Sequence, residues 1–146
     1  MTTILTPQEI VHLVFTTGEN YNNSMITESD IAIAESCYLL PIVGQMLYEK
    51  LSTGEYSELV DDYVAPMLGA WVRYIIEPRL DERCGLGHSA KGVDREKLKH
   101  LRCVASKLSH RLSDFLNVNS DDYPEYNPCD NPLNHCSIDG NIVQIY

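Results

Sequence analysis

Apolar positions recur at helical spacing along most of this chain, and polar breaks between them mark where helices stop. Thr6-Pro7-Gln8-Glu9 has the form of a capping box with proline in the first helical position. Ile10, Val11, Leu13 and Val14 follow, which predicts a short helix from about Pro7 to Thr16. Gly18 and the polar stretch Asn20–Ser24 then read as a loop. A second helix is predicted to start near Thr27, with Asp30 three residues on and a stripe of Ile31, Ala34, Tyr38 and Ile42. Pro41 lacks an amide donor and disfavours helical geometry at Leu40, so a kink or restart is expected there. Ile42, Val43, Met46, Leu47 and Leu51 would line the restarted helix, with Gly54 as its stop.

Ser57 opens the most periodic segment. Val60, Val64, Met67, Trp71 and Ile75 fall at steps of four, three, four and four, and Tyr63, Leu68, Val72 and Ile76 widen the stripe. This predicts the core helix, anchored by Trp71, bent by Pro66 and ended by Pro78. Asp81–Gly92, with three glycines, reads as a loop. Asp94 then caps a helix with Leu98, Leu101, Ala105, Leu108, Leu112 and Phe115 on one side and its basic residues outward.

After Asn117 the pattern changes. Residues 117–146 hold six asparagines and three prolines, and no helix fits them. Asp139-Gly140 between short apolar runs signals a tight hairpin, and a lone two-stranded ribbon needs another surface to be stable. The fold class predicted is all-α: a bundle of four to five helices over residues 1–118, then an extended arm over 119–146, with a short β-hairpin as the candidate end of that arm.

Composition narrows the function. The 146 residues suit one domain, and 44% apolar content is enough for a core. A formal charge of −10 argues against free nucleic acid or an anionic membrane as the main partner. No run of 18 apolar residues marks a membrane span, and the N-terminus lacks the basic start of a secretory signal. Five scattered cysteines read as reduced thiols of an intracellular protein, with Cys37 and Cys103 as small core residues. The charge is divided unevenly. Residues 83–111 carry eight basic residues against Asp94 and Glu96, a local balance of +6; elsewhere three bases face nineteen acids, or −16. Such a dipolar chain suits head-to-tail association, although a solvated helix face with local ion pairs gives the same pattern.

Candidate chemistry is sparse. Cys129, His135 and Cys136, with Cys84 and His88, have zinc-type donors, but their spacing fits no structural zinc pattern, and no metal or cofactor is expected. Gly85–Lys91 lacks the spacing and the preceding strand of a phosphate loop. Asp61-Asp62 and Asp121-Asp122 point apart on a helix, and His12, His100 and His110 stand beside no nucleophile motif. Nothing in the sequence points to an enzyme.

The segment Ala34-Glu35 through Pro41-x-x-Gly44-x-x-Leu47-Tyr48-x-x-Leu51 resembles one found in small helical head–tail connector proteins of tailed bacteriophages, most of all those of gut Bacteroidota phages, including crAss-like ones. Val64–Trp71 is similar to their central helix. Leu112–Leu116 through Tyr123-Pro124-Glu125-Tyr126 is similar to the end of their last helix. The resemblance spans roughly residues 27–128. It implies a non-catalytic, all-helical virion protein, made in the host bacterial cytoplasm, that forms a homo-oligomeric ring, commonly twelvefold. The ring would join portal protein to adjacent neck and tail proteins, while DNA passes through the channel without specific binding and no membrane is involved. Arg95, Lys99, Arg102 and Arg111 would then face a neighbour's acidic surface. Tyr123, Tyr126, Ile138, Ile142, Ile145 and Tyr146 would carry the arm's contacts. The alternative is a non-viral helical protein–protein interaction module with a regulatory or accessory role.

Overall fold

Two capping boxes form, at the expected Thr6–Glu9 and at Thr27–Asp30. The Thr6 hydroxyl accepts from the Glu9 amide (3.4 Å), and the Glu9 carboxylate accepts from the Thr6 amide (2.7 Å), opening α1, Pro7–Val14. Thr27 and Asp30 do the same at 3.3 and 3.0 Å for α2, Glu28–Ala34. The computed structural model describes residues 3–15, 25–84, 95–139 and 142–145, with side chains at 3–15, 25–79 and 95–135. The loop read at Gly18 and Asn20–Ser24 lies outside the described residues.

α2 runs without a stop into a wide π-type turn, Glu35–Leu39, and then α3, Leu40–Ser52. The helical path breaks at Gly44 (φ 78°, ψ 164°), not at Pro41. The π turn explains why. Proline's ring would clash with the carbonyl four residues back, and widening the turn just before it relieves that crowding. Gly44 occupies backbone space that is open essentially to glycine alone. No atom lies within 4 Å of where its Cβ would be, so backbone conformation alone sets the cost of a side chain. Gly44→Ala is expected to destabilise the fold by about 1–3 kcal/mol, read as a lower denaturation midpoint. The C-terminus of α3 closes on Gly54 as expected: the Gly54 amide donates to Leu51 O (3.1 Å) and the Glu55 amide to Lys50 O (3.1 Å).

The next helix repeats the device. α4, Ser57–Leu59, passes through a second π turn, Val60–Val64, into α5, Ala65–Cys84. This turn also ends two residues before a proline, Pro66. The Asp62 carbonyl, which Pro66 cannot satisfy, accepts from Arg111 Nη1 at 3.3 Å. Each π turn inserts a five-residue step into the buried apolar series, Ala34 to Leu39 and Leu59 to Val64. Leu59 (2% exposed) therefore takes the core place expected of Val60, and Cys37 faces solvent instead of the core.

Pro78 does not end α5, which continues to Cys84, so Asp81–Cys84 are helical rather than loop. Side chains on both sides of the proline fasten this stretch: Glu77 pairs with Arg73 of the same helix (2.9 Å) and with Lys97 of α6, and Arg79 with Asp30 of α2. The rest of that loop and Asp94 lie outside the described residues. α6, Arg95–Val118, buries Ala105, Ser109, Leu112, Ser113 and Leu116, while Cys103 is exposed, contrary to expectation. α5 packs against α1, α2 and α6, with Met67, Leu68, Trp71, Val72 and Ile76 in the core. The class is all-α.

Glu28–Ser52 (25 residues) is long and apolar enough to cross a membrane on length and composition, with mean hydropathy 1.4 over its most apolar 18-residue window, which counting uninterrupted apolar residues overlooks. It buries Ile31, Leu39, Val43, Leu47 and Leu51 in the core, carries ionisable Asp30 and Glu35, and breaks at Gly44. These are the features of a core helix. Beyond α6, two short 3-10 turns, Ser120–Asp122 and Pro132–Asn134, precede strands β1, Cys136–Asp139, and β2, Ile142–Ile145. The strands pair antiparallel, Ile138 opposite Val143.

Candidate functional site

Glu35 is buried at 1% exposure and accepts from the Tyr48 hydroxyl and the Ile4 amide, both at 2.7 Å. It ties the N-terminal segment to α3. Burial pushes its carboxyl above the ordinary value, more than the two hydrogen bonds lower it. Burial and the neighbouring Glu35 push the Tyr48 phenol up to about 12. The folded state thus holds the Glu35 proton to higher pH than the unfolded state, and this group's contribution to stability falls as pH rises above about 4.5. Relative to the native chain, Glu35→Gln should gain stability between pH 4 and neutrality, measured as the difference in Tm. A flat difference would contradict the raised carboxyl. Asp30 behaves oppositely: burial raises it, but the Thr27 amide and Arg79 outweigh that and hold it below the usual range.

Two surfaces stand out. The first is a groove of about 500 Å³ between α1, α5 and α6. Leu13 and Val14 form one wall, Gly69 and Ala70 the floor, and Leu101, Val104 and Leu108 the other wall. α1 comes close here: Val14 Cγ2 lies 3.0 Å from where a Gly69 Cβ would stand. Leu13 (50%) and Val104 (39%) remain exposed, and Arg73 and His100 also line the groove. Arg73 is held by Glu77 and lies over the Phe15 ring at 4.6 Å. The second is the basic face of α6. Arg95, Lys99 and Arg102 follow one another at steps of four and three, so they share one side of the helix. All three are exposed, and with Lys107 they form no ion pair among the described residues. Lys97 differs, reaching the buried Glu77.

The structure divides the residues the sequence singled out. Arg111 is exposed but engaged within the chain, on the Asp62 carbonyl and over the Tyr63 ring at 4.5 Å. Tyr123 is half-buried against Tyr56 (4.9 Å, edge-on) and Phe115. Tyr126 is 5% exposed and belongs to the core. Its hydroxyl donates to Asn117 Oδ1 (2.6 Å) and accepts from Asn131 Nδ2 (2.9 Å). Asn131, fully buried, also donates to Ser113 Oγ (2.8 Å), and Asn134 pairs with Asn117 in both directions (2.7 and 2.9 Å). Residues 119–135 are thereby fastened along α6. Ile138, Ile142 and Ile145 sit on the strands, and Tyr146 lies outside the described residues.

The weaker candidates stay apart. Among the described residues no group of histidine, cysteine and acidic side chains could hold a metal ion. His135 Nε2 meets the Cys129 carbonyl at 2.7 Å instead. The Gly85–Lys91 stretch and His88 lie outside the described residues, and the Cys84 and Cys136 side chains are not among those described. The α1/α5/α6 groove escaped sequence reading; an apolar Leu13 and Val104 on otherwise polar helix faces were its only trace. Comparison with protein-family models, curated proteins and solved structures finds no match to this chain.

Proposed function

We propose that this chain is a structural virion protein, a ring adaptor that joins portal and head to the tail around the DNA channel of a phage. One observation carries the reading: on a chain of net charge −10, Arg95, Lys99 and Arg102 present an exposed cationic face with no ion pair among the described residues. Three like charges on one helix side repel modestly in isolation and gain most from an acidic surface brought by another molecule. A second copy supplies such a surface, and repetition of that heterologous contact closes a ring if the rotation permits. The resemblance of Ala34–Leu51, Val64–Trp71 and Leu112–Tyr126 to phage head–tail connectors supports the same role. A channel wall made of acidic protein would let DNA slide rather than grip it. In this reading the helices form a bundle, and the hairpin-ended arm reaches neighbouring subunits or rings.

The groove favours a second reading, a non-viral helical interaction module that takes a partner peptide, since a volume near 500 Å³ suits a few apolar side chains. Imaging intact virions at subnanometre resolution separates the two. The adaptor reading expects ring density for this polypeptide between capsid vertex and tail tube. A neck fully accounted for by other chains would overturn it.

A further inference from the structure

Arg95, Lys99 and Arg102 leave one side of α6 cationic, exposed and without an ion pair among the described residues. The same chain carries a hollow of the opposite charge. It holds about 310 Å³ at the C-terminal end of α3 and is lined by Met46, Glu49, Lys50, Thr53, Glu55 and Glu125. Three carboxylates there meet a single ammonium, so negative charge is in excess. Glu49 accepts from Gln45 Nε2 (2.8 Å), Glu55 from Lys50 Nζ (3.1 Å) and Glu125 from the Tyr56 hydroxyl (3.0 Å). A carboxylate can accept about four hydrogen bonds, so each has room for a further donor. The last turn of α3 adds the negative end of a helix dipole. Met46, 66% exposed, gives the methylene stem of an arginine or lysine an apolar surface to lie on.

The hollow cannot take the cations of its own α6. Tyr56 holds Glu125 and packs edge-on against Tyr123, which meets Phe115 near the end of α6. Phe115 lies thirteen residues past Arg102 and twenty past Arg95, roughly 20 and 30 Å along the helix. Neither side chain spans that distance. Two complementary surfaces held apart within one chain can still meet between chains.

We infer that the α6 face of Arg95, Lys99 and Arg102 in one copy docks over the acidic hollow at the end of α3 in the next, a head-to-tail contact between copies of this chain. The inference rests on the self-association part of the adaptor reading and names the acidic surface that part requires. The two patches differ, so the contact is heterologous: each copy gives one cationic face and one hollow.

Sedimentation velocity of the full purified chain, with no other protein present, from about 1 μM to about 1 mM tests it. The native chain should self-associate, and raising salt from about 0.05 M to about 0.5 M should weaken that association at least about tenfold. Lys99→Glu with Arg102→Glu reverses the face; Glu49→Lys with Glu55→Lys reverses the hollow. All four residues are exposed, and helical circular dichroism checks each chain, with the glutamine equivalents replacing any pair that does not fold. Each pair alone should weaken association at least about tenfold. The hollow variant brings the net charge nearer zero, so general repulsion alone would strengthen its association instead. An equimolar mixture of the two reversed chains should associate again, because each face then meets a hollow of opposite sign; with a glutamine pair the mixture should give a 1:1 complex. A native chain monomeric at the highest concentration, association indifferent to salt, reversed chains that associate normally, or a mixture that stays monomeric would each overturn the contact. Virion imaging judges the neck role separately. Association through this contact by a chain absent from the neck upholds the contact and removes the adaptor role, whereas ring density for a chain whose mixture stays monomeric removes the contact alone.

Discussion

Trp71→Ala is expected to cost about 3–5 kcal/mol, enough to consume a large part of a small domain's stability. Trp71 is only 7% exposed and sits where three helical segments meet. Its ring stacks on Tyr38 (3.6 Å between centroids, 4° between planes), from the first π turn, and meets Tyr74 edge-on at 5.8 Å. Its indole nitrogen donates to Ser109 Oγ of α6 at 2.8 Å, and Ser109 donates onward to the Ala105 carbonyl. Truncation therefore opens a cavity and leaves Ser109 without its donor. Trp71→Phe separates the two effects. It keeps the stack and should lose about 1 kcal/mol for the hydrogen bond beyond the volume change. Urea denaturation of both variants checks this; an unchanged Trp71→Ala midpoint would mean that the ring is not in the core.

Glu77→Ala should be comparably severe, about 3–5 kcal/mol. Glu77 is 1% exposed and meets Arg73 on its own helix and Lys97 on α6. Arg73 is itself buried, at 8%. Removing the carboxylate takes the buried Glu77 partner from a guanidinium in a poorly solvated place, and releases the start of α6 from α5. Lys97→Ala, which removes the more exposed partner, should cost much less, near the range of surface pairs. Thermal unfolding of both variants tests the asymmetry. Equal losses would show that the α5–α6 link, not the buried Arg73–Glu77 pair, sets the cost.

What the sequence made legible follows from how local the cause was. Thr6–Glu9 and Thr27–Asp30 cap their helices with side chains three residues apart, and Gly54 ends α3 by backbone conformation alone, so each could be read in a short window. The two π turns could not. A 3.6-residue period assigns Val60 to the core, and only a step of five brings Leu59 there. Pro78 reads as a stop because the groups that secure the helix around it are distant in sequence: Asp30, 49 residues from its partner Arg79, and Lys97. The basic face of α6 was visible as charge density. Tyr126 reads as a contact residue of the extended arm because nothing in an asparagine-rich stretch announces that Asn117 and Asn131 will satisfy a buried hydroxyl. The groove was invisible for a different reason: it is the space left between three helices, and no single one of them encodes it.

Pro41 and Pro66 each lie two residues past a wide turn. Their rings act as phase setters for two long rods. Were Pro66 replaced by alanine, an amide would return and the turn could tighten to ordinary pitch. Everything upstream would then swing by about 100° relative to α5, carrying Leu59 out of the interior and handing the Asp62 carbonyl back to the helix. A substitution that improves local helix propensity would thus misalign the start of a rod, and Arg111 would be left holding nothing at that end.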